Sequence, residues 1–152
     1  MPADATPAAI ARDLFRKAER AALATLAEGG SPYASLVLVA EAKDGAPVLL
    51  ISDLAEHAKN LSRDPRSSLL IDGTAALADP LTGPRMTLMG HLAKSGDPDL
   101  KARFVARHPS AATYAGFKDF ATWRMEVERA HLVEGFGQIY WIEGADFRAT
   151  KS

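Results

Sequence analysis

The sequence contains no cysteine, no long apolar run and no marked excess of charge of either sign. Without cysteine, the chain cannot form disulfides, thiolate metal sites, iron–sulfur clusters or cysteine nucleophiles. Its 18 basic and 19 acidic residues give a net charge of −1, which provides no excess positive charge for nucleic acid or an anionic membrane. The apolar stretch at 48–51 is too short to span a bilayer, and the first residues lack the features of a signal peptide. We therefore expect a cytoplasmic protein that binds neither nucleic acid nor membranes.

The sequence also lacks the motifs of several common enzyme classes. It has no G-x-S-x-G nucleophile elbow, no P-loop and no G-x-G-x-x-G dinucleotide fingerprint. Its four histidines are far apart and form no H-x-H or H-E-x-x-H pattern, so we predict no metal site. Hydrolase, phosphoryl-transfer and Rossmann-type nicotinamide chemistry are disfavoured together.

What the sequence does contain is enough apolar material for one core. With 47% hydrophobic residues, residues 1–152 are predicted to form a single domain. Turn residues at 28–32, 43–45 and 79–84 separate short β-type runs, and hairpins are the natural connection between them. We predict strands at residues 22–26, 35–40, 48–51, 67–71, 86–92, 125–133 and 138–142.

Helices are predicted between these strands. Thr6 and Pro7 begin the first, whose apolar side carries positions 10, 14, 18 and 22. Asp53 is predicted to cap a helix over 54–63, and the Asp-Pro pair at 97–98 begins another. Positions 114, 117 and 121 share a third helical face. The order of elements predicts an α+β, mainly β fold, in which helices pack outside an antiparallel barrel.

The segment from Ser52 to Asn60 is the strongest candidate site. A helix N-terminus presents unpaired N–H groups and partial positive charge, which suit a phosphate. Ser52 supplies a hydroxyl there, and His57 and Lys59 supply positive charge. An ordinary surface helix explains the same residues, with Glu56 completing a capping box.

Two further features are candidates for ligand contacts. Arg85 follows a turn and can reach an anion, although a solvated arginine at a strand end fits equally well. Phe136, Tyr140 and Trp141 flank a glycine-bearing loop and can wall a planar ligand, or can simply close the barrel.

Several stretches together resemble one known family. Residues 32–40 (PYASLVLVA) precede 50–70, which contain the run S-x-L-A-x-H-x-x-N followed by D-P-R, and 85–90 and 133–137 extend the likeness. The sequence is similar to the pyridoxamine 5′-phosphate oxidase-like FMN-binding split barrels. Within that family it resembles the branch that contains the haem-utilisation proteins.

The resemblance implies a split-barrel homodimer that binds FMN at the subunit interface. It implies that the strand around Ser35 lies beside the flavin ring, and that the next strand end and helix hold the phosphate. The Gly135 loop would come from the partner subunit. The residues assigned to FMN in this way are Ser35, Leu36, Val37, Leu38, Ile51, Ser52, His57, Lys59, Asn60, Arg85, Gly135 and Phe136.

The sequence departs from the true pyridoxamine-phosphate oxidases at their basic positions. Ser35 and Ala40 stand at the two ends of the flavin strand, where those enzymes carry basic residues. Glu56 and His57 replace their Arg-Lys pair, and the C-terminal basic residues are missing near Gln138. Since a site for two phosphates needs more positive charge, we do not expect oxidation of vitamin B6.

The resemblance therefore predicts an FMN-binding flavoprotein, an oxidoreductase that acts on a small-molecule redox substrate which the sequence does not identify. One alternative is a flavin-free split-barrel dimer that acts as a binding or regulatory module. Another is a haem-binding or haem-degrading relative, in which His91, His108 or His131 would be the axial ligand; the sequence does not choose among them.

Overall fold

In the computed structural model, which describes residues 5–149, the antiparallel strands form one sheet around an apolar interior. The predicted domain runs over 1–152, and its residues 1–4 and 150–152 lie outside the described part. The strands are β1 (Arg20–Leu26), β2 (Pro32–Leu38), β3 (Ala40–Glu41), β4 (Pro47–Ser52), β5 (Arg66–Asp72), β6 (Arg85–Ser95), β7 (Phe120–Gly135) and β8 (Gln138–Glu143). Their order across the sheet is β2-β1-β5-β6-β7-β4-β3, with β8 paired to β7.

Four helices accompany the sheet within the described residues. They are α1 (Pro7–Lys17), α2 (Glu56–Arg63), α3 (Pro98–Arg107) and α4 (Gly144–Ala149). None of these helices of residues 5–149 is both long and apolar enough to cross a membrane. The strand pairing is antiparallel throughout, as predicted, and the α+β, mainly β class is confirmed.

Alternation along the strands decides which side chains fill the barrel. In β5, Leu69 and Ile71 are fully buried, while Leu70 between them is 45% exposed. In β6, Met86 and Leu88 are buried in the same way, and Met89 points outward. Since successive side chains of a strand point to opposite faces, this period of two gives the sheet one inner and one outer face.

β4 is an exception because it is buried on both faces. Leu49 and Ile51 belong to the main core, whereas Val48 and Leu50 pack into a second cluster with Phe104 of α3. α3 and the short 3₁₀ segment Pro109–Thr113 supply this cover. The unbroken apolar run at 48–51 is therefore a strand between two apolar layers.

α1 is joined to the barrel by a buried cation. Thr6 caps the helix as predicted, because its Oγ1 accepts a hydrogen bond from the N–H of Ala9 at 3.1 Å. Arg12, only 4% exposed, donates to the carbonyl oxygen of Gly45 at 2.9 Å and to Glu41 Oε2 at 2.8 Å. These bonds fix the helix to β3 and to the turn that follows it.

Two predicted helix boundaries are wrong. α1 ends at Lys17, and position 22 lies in β1, so the apolar spacing of four continues past the end of the helix. α2 begins at Glu56 with Ala55 as its N-cap, not with Asp53. Asp53 instead pairs with Lys94 at 2.9 Å, and its backbone N–H donates to the carbonyl of Asp119.

The third predicted helical face does not exist. Tyr114 and Phe117 lie in turns that follow the 3₁₀ segment, and Ala121 already belongs to β7. Tyr114 and Phe117 are at helical spacing, yet their backbone N–H groups bond within local turns, and from Phe120 onward the backbone pairs with β4 and then β6. Tertiary pairing overrides the local pattern here.

Candidate functional site

A cleft lies where the free edge of β2 faces β4 and the start of α2. It has a volume of about 270 Å³. We call it the β2–β4 cleft, and its lining residues are Leu36, Val37, Leu38, Leu50, Ile51, Ser52, Ala55, His57, Phe104, Tyr114 and Phe120. Most of its wall is aliphatic or aromatic, so it suits a planar apolar ligand.

The cleft brings together the first group of predicted site residues. Leu36, Val37 and Leu38 line it from β2, and Ile51 and Ser52 from the end of β4. Among the described strands β2 pairs only with β1, so its second edge keeps unpaired backbone groups beside the cleft. The assignment of these residues as ligand contacts stays a prediction.

His57 is the most distinctive polar group of the cleft. It is the second residue of α2 and is half-buried, and its Nδ1 lies 3.0 Å from Ser35 Oγ. Desolvation by burial lowers the pKa of His57 below its ordinary value, so the neutral imidazole is favoured. The Ser35 contact fixes the ring orientation and so connects two of the predicted residues.

The hydroxyl group of Ser52 forms its hydrogen bonds within the protein. Its hydroxyl donates to Asp119 Oδ2 at 2.7 Å and accepts from the N–H of Leu54 at 3.1 Å. The structure therefore places a carboxylate beside the strand end that the resemblance assigns to a phosphate. The carboxylate of Asp119 would repel a phosphate dianion bound at this strand end, so the contact disfavours a phosphate here.

Lys59 and Asn60 do not face the cleft. Lys59 is exposed on α2, with its Nζ 3.9 Å from Glu56 Oε1. Asn60 is completely buried; its Nδ2 donates to Thr25 Oγ1 at 3.0 Å, and its Oδ1 accepts from Arg63 at 2.6 Å. Both polar ends of the Asn60 amide are thus satisfied inside the fold, and this geometry supports a structural role.

Arg85, Gly135 and Phe136 also lie outside the cleft. Arg85 is at the start of β6 and donates to the carbonyl oxygens of Leu81 and Gly83. Gly135 ends β7 and Phe136 begins the two-residue turn to β8, where Phe136 is 75% exposed. The predicted contribution of this turn to a partner subunit's site stays a prediction.

Sequence reasoning missed the aromatic wall and the acidic neighbour of the cleft. Phe104, Tyr114 and Phe120 line it, with the rings of Tyr114 and Phe120 4.7 Å apart. The signal that points to them is the unbroken apolar run of β4, which requires a covering layer. Asp119 had no signal at all, since 67 residues separate it from Ser52.

The other three histidines have partners elsewhere. His91 Nδ1 lies 2.6 Å from Glu128, and His108 Nε2 donates to the carbonyl of Val39 at 2.7 Å. His131 packs against Trp141 with ring centroids 4.4 Å apart. In the described part of the chain, no three His, Asp or Glu side chains are grouped to hold a metal ion.

The outer face of the sheet carries an exposed apolar row next to the cleft. Directly paired residues place their side chains on the same face, so the register defines this row. It runs through Leu36, Ala22, Leu70, Thr87, His131 and Trp141. Leu36 is 72% exposed, Leu70 45% and Trp141 52%, and Leu36 also lines the cleft. A second depression of about 350 Å³ lies on this face around Met89 and Arg129.

The comparison with protein families decides the family of the chain. The family model described as "CREG, beta-barrel" matches residues 2–149. The chain belongs to the CREG β-barrel family. Together with the structural neighbours below, this confirms the predicted resemblance to the pyridoxamine-phosphate-oxidase-like split barrels and to their haem-utilisation branch.

Two curated relatives are named as heme oxygenases. The chloroplastic heme oxygenase HOZ of Arabidopsis thaliana is 36% identical over 118 residues, which are 76% of this chain and 36% of HOZ. Heme oxygenase HutZ of Vibrio cholerae is 28% identical over 131 residues, 82% of this chain and 74% of HutZ. The chain therefore spans about a third of the length of HOZ and about three quarters of HutZ.

Solved structures agree with this placement. A heme binding protein from Mycobacterium smegmatis superposes with a TM-score of 0.91 at 34% identity, covering 97% of this chain and 62% of that protein. A Clostridium acetobutylicum protein of the pyridoxinephosphate oxidase family has a TM-score of 0.70 at 12% identity, covering 92% of this chain and 96% of that one. The second likeness concerns the fold alone. Three of these four relatives carry haem in their names, and none of the four is named for FMN.

Proposed function

We propose that this CREG-family chain binds haem, and that its site is the β2–β4 cleft. The observation that carries the proposal is the apolar and aromatic wall of the cleft with a single half-buried histidine in it. The haem-named relatives at 36% and 34% identity support the same ligand. Haem is a planar, largely apolar macrocycle, and such a wall suits it better than it suits a phosphate-bearing cofactor.

The polar contacts around the cleft disfavour the phosphate group of FMN. Ser52 is hydrogen-bonded to a carboxylate, Asn60 is buried with both ends satisfied, and Lys59 stands near Glu56. No described cation lines the cleft to neutralise a phosphate. A site that binds a phosphate dianion needs such groups.

We further propose that the chain acts as a homodimer through the outer face. Its exposed leucines, Met89 and Trp141 form an apolar surface next to the open side of the cleft. The cleft alone, at about 270 Å³, lies below the usual range for ligand sites, roughly 300–1,000 Å³. A second copy seated on this face would extend the wall at Leu36 and enclose more of the macrocycle.

FMN is the second candidate ligand, and the free edge of β2 is the feature that favours it. Unpaired backbone N–H and C=O groups along that edge can bond to the polar rim of a flavin ring. A choice between the two ligands comes from adding each one to the same preparation of ligand-free protein.

The test is a haem titration followed in the Soret region, together with thermal unfolding. We expect a saturable Soret band. At about 100 times Kd, haem should stabilise the fold by roughly 2.7 kcal/mol, a rise in Tm of about 5–10 °C. FMN at the same concentration should leave Tm unchanged. The opposite pattern, a shift with FMN and none with haem, would refute the proposal and restore the flavoprotein hypothesis.

Matched leucine variants locate the site and the interface. Leu38→Glu puts a carboxylate in the cleft wall, and Leu77→Glu is the control, since the two leucines are 38% and 42% exposed. We expect Leu38→Glu alone to weaken haem binding at least tenfold, about 1.4 kcal/mol. If Leu38→Glu bound haem with unchanged affinity, the cleft would be excluded as the haem site, and the depression near Met89 would be the next candidate.

Leu70→Glu tests the dimer with the same control. In sedimentation experiments the wild type and Leu77→Glu should show twice the 16.2 kDa mass of the chain, and Leu70→Glu should show one copy. A wild type that remains a single copy at all concentrations would disprove the dimer.

If the dimer binds haem, breakdown of the haem is a second activity to test, because both curated relatives are named heme oxygenases. The loaded protein is mixed with a reductant in air, and the Soret band is followed. Its loss, compared with free haem under the same conditions, would support turnover; a stable band would indicate binding alone.

A further inference from the structure

We propose that Nε2 of His57 is the axial ligand of the haem iron and that Ser35 is the residue that positions its ring. This inference rests on the proposed haem binding and deepens it by naming the coordinating atom. The sequence alone had left His91, His108 and His131 as candidates, and His57 was not among them.

The first argument is that each of those three histidines is engaged outside the cleft. His91 lies against Glu128 on the outer side of the sheet, at 2.6 Å. His108 uses its Nε2 for the carbonyl of Val39, and its ring packs on Phe104 at 5.0 Å. His131 stacks on Trp141, whose ring also carries the guanidinium of Arg129 at 4.0 Å. His57 alone among the four lines the β2–β4 cleft.

The second argument is the geometry of the His57 ring. Its Nδ1 is 3.0 Å from Ser35 Oγ, while its Nε2 has no hydrogen-bond partner among residues 5–149. When Nδ1–H donates to the serine oxygen, the lone pair of the neutral ring is on Nε2. A metal-binding histidine has this arrangement, since its second nitrogen is usually held by a neighbouring acceptor that fixes tautomer and direction.

The third argument is that the backbone under His57 is rigid. The next residue, Ala58, and Leu61 one turn on are buried in the main core, and the N–H of Ala58 bonds to the carbonyl of Ala55 at 3.1 Å. Ser35 is fixed by the ladder of β2 with β1, where it pairs with Leu23. Both members of the His57–Ser35 pair are therefore anchored on regular elements and not on loops, which favours a precise ligand position.

The chemistry of the surrounding wall fits the role. Leu36, Leu38 and Phe120 line the cleft together with His57, so the imidazole borders a mainly apolar wall that suits a macrocycle. The hydroxyl of Ser52 is committed to Asp119 and does not compete for His57. No other nitrogen ligand among the described residues lines the cleft.

The experiment compares haem complexes of the full chain carrying His57→Ala, His57→Cys, Ser35→Ala or His131→Ala. Absorption and resonance Raman spectra report the axial ligand directly and do not depend on any activity. We expect an iron–histidine stretching band in the ferrous wild type, its loss in His57→Ala, and its return when free imidazole is added. His131→Ala should keep the wild-type spectrum.

His57→Cys is expected to produce a new spectroscopic signal, and a new signal, unlike the loss of one, is not explained by misfolding. Since the chain has no cysteine of its own, a thiolate-type Soret spectrum in this variant would come from position 57. Ser35→Ala should keep the histidine band but shift its frequency, and weaken haem binding by about tenfold, as loss of a supporting hydrogen bond does at metal sites.

The outcomes separate this inference from the proposed function. A wild type without a Soret band would refute haem binding itself. A wild type that binds haem, with a His57→Ala spectrum identical to it and no thiolate signature in His57→Cys, would overturn the ligand assignment alone. Loss of the histidine band in His131→Ala would transfer the role to His131.

Discussion

Replacing Asn60 by alanine should destabilise the fold and leave haem affinity unchanged. The Asn60 amide is completely buried. Its removal leaves the hydroxyl of Thr25, which is only 2% exposed, without its hydrogen-bond donor. An unsatisfied buried group costs about 1–3 kcal/mol. The bond from the exposed Arg63 adds less, roughly 0.5–1 kcal/mol. The sum, about 1.5–4 kcal/mol, corresponds to a fall in Tm of about 3–16 °C for a chain of this length.

The assay is urea unfolding of Asn60→Ala, Thr25→Val and the double variant. Each single change leaves one buried polar group without its partner, whereas the double change removes both. We therefore expect the double variant to lose less than the sum of the single losses, with a coupling of at least about 1 kcal/mol.

A different pattern would refute this reasoning. If Asn60→Ala kept its stability within about 0.5 kcal/mol, the range of an ordinary surface substitution, and bound haem or FMN more weakly, then Asn60 would be a ligand contact as the resemblance implied. Additive losses in the cycle would show that the Thr25 bond contributes nothing specific.

Three further changes test the fold. Gly90→Ala should cost about 1–3 kcal/mol or more, because a Cβ there would lie 1.9 Å from the carbonyl oxygen of Glu126 across the β6–β7 pair. Asp44→Asn should destabilise at pH 7, because the hydrogen bonds from Arg124 hold the pKa of Asp44 below its ordinary 3.8. Arg12→Met should cost about 3 kcal/mol, since it breaks a buried ion pair whose carboxylate is partly exposed. Thermal and urea unfolding measure all three.

Each of these has its control or contrary outcome. Gly96→Ala meets no atom within 4 Å and should be nearly neutral; equal losses at both glycines would show that the close approach is unimportant. The Asp44 contribution is present above pH 3.8 and is lost as pH falls through the lower folded-state pKa. A deficit in Asp44→Asn that persisted unchanged at pH 2 would rule out this origin. Unaltered stability in Arg12→Met would mean that α1 is held by apolar packing alone.

The elements that the sequence predicted well are those whose signals are local. Thr6 and Pro7 start α1, and Asp97 caps α3 with its side chain on the N–H of Asp99. These cap bonds join residues two or three apart, so neighbouring positions are enough to predict them. The alternation in β5 likewise needs only neighbouring positions to be read.

Predictions failed where a distant partner decided the outcome. Asp53 looked like a helix cap, but its backbone N–H is taken by the carbonyl of Asp119 and its carboxylate by Lys94. Tyr114 and Phe117 had helical spacing, yet this segment bends so that Phe120 can begin β7 beside β4. Local propensity differs by tenths of a kcal/mol per residue, and pairing with a strand outweighs it.

The sequence by itself determined the antiparallel barrel, the cap of α1 and the family resemblance, because periodicity, turns and motifs are written along the chain. It also marked Ser35 and His57 as candidates, but it did not show that they touch. Only the tertiary structure brought Ser35 of β2 to His57 of α2, which is 22 residues away along the chain. It also placed Asp119 beside Ser52, across 67 residues, and buried the side chain of Asn60. Contacts between distant positions depend on how the strands close around the core, and no local pattern specifies that closure.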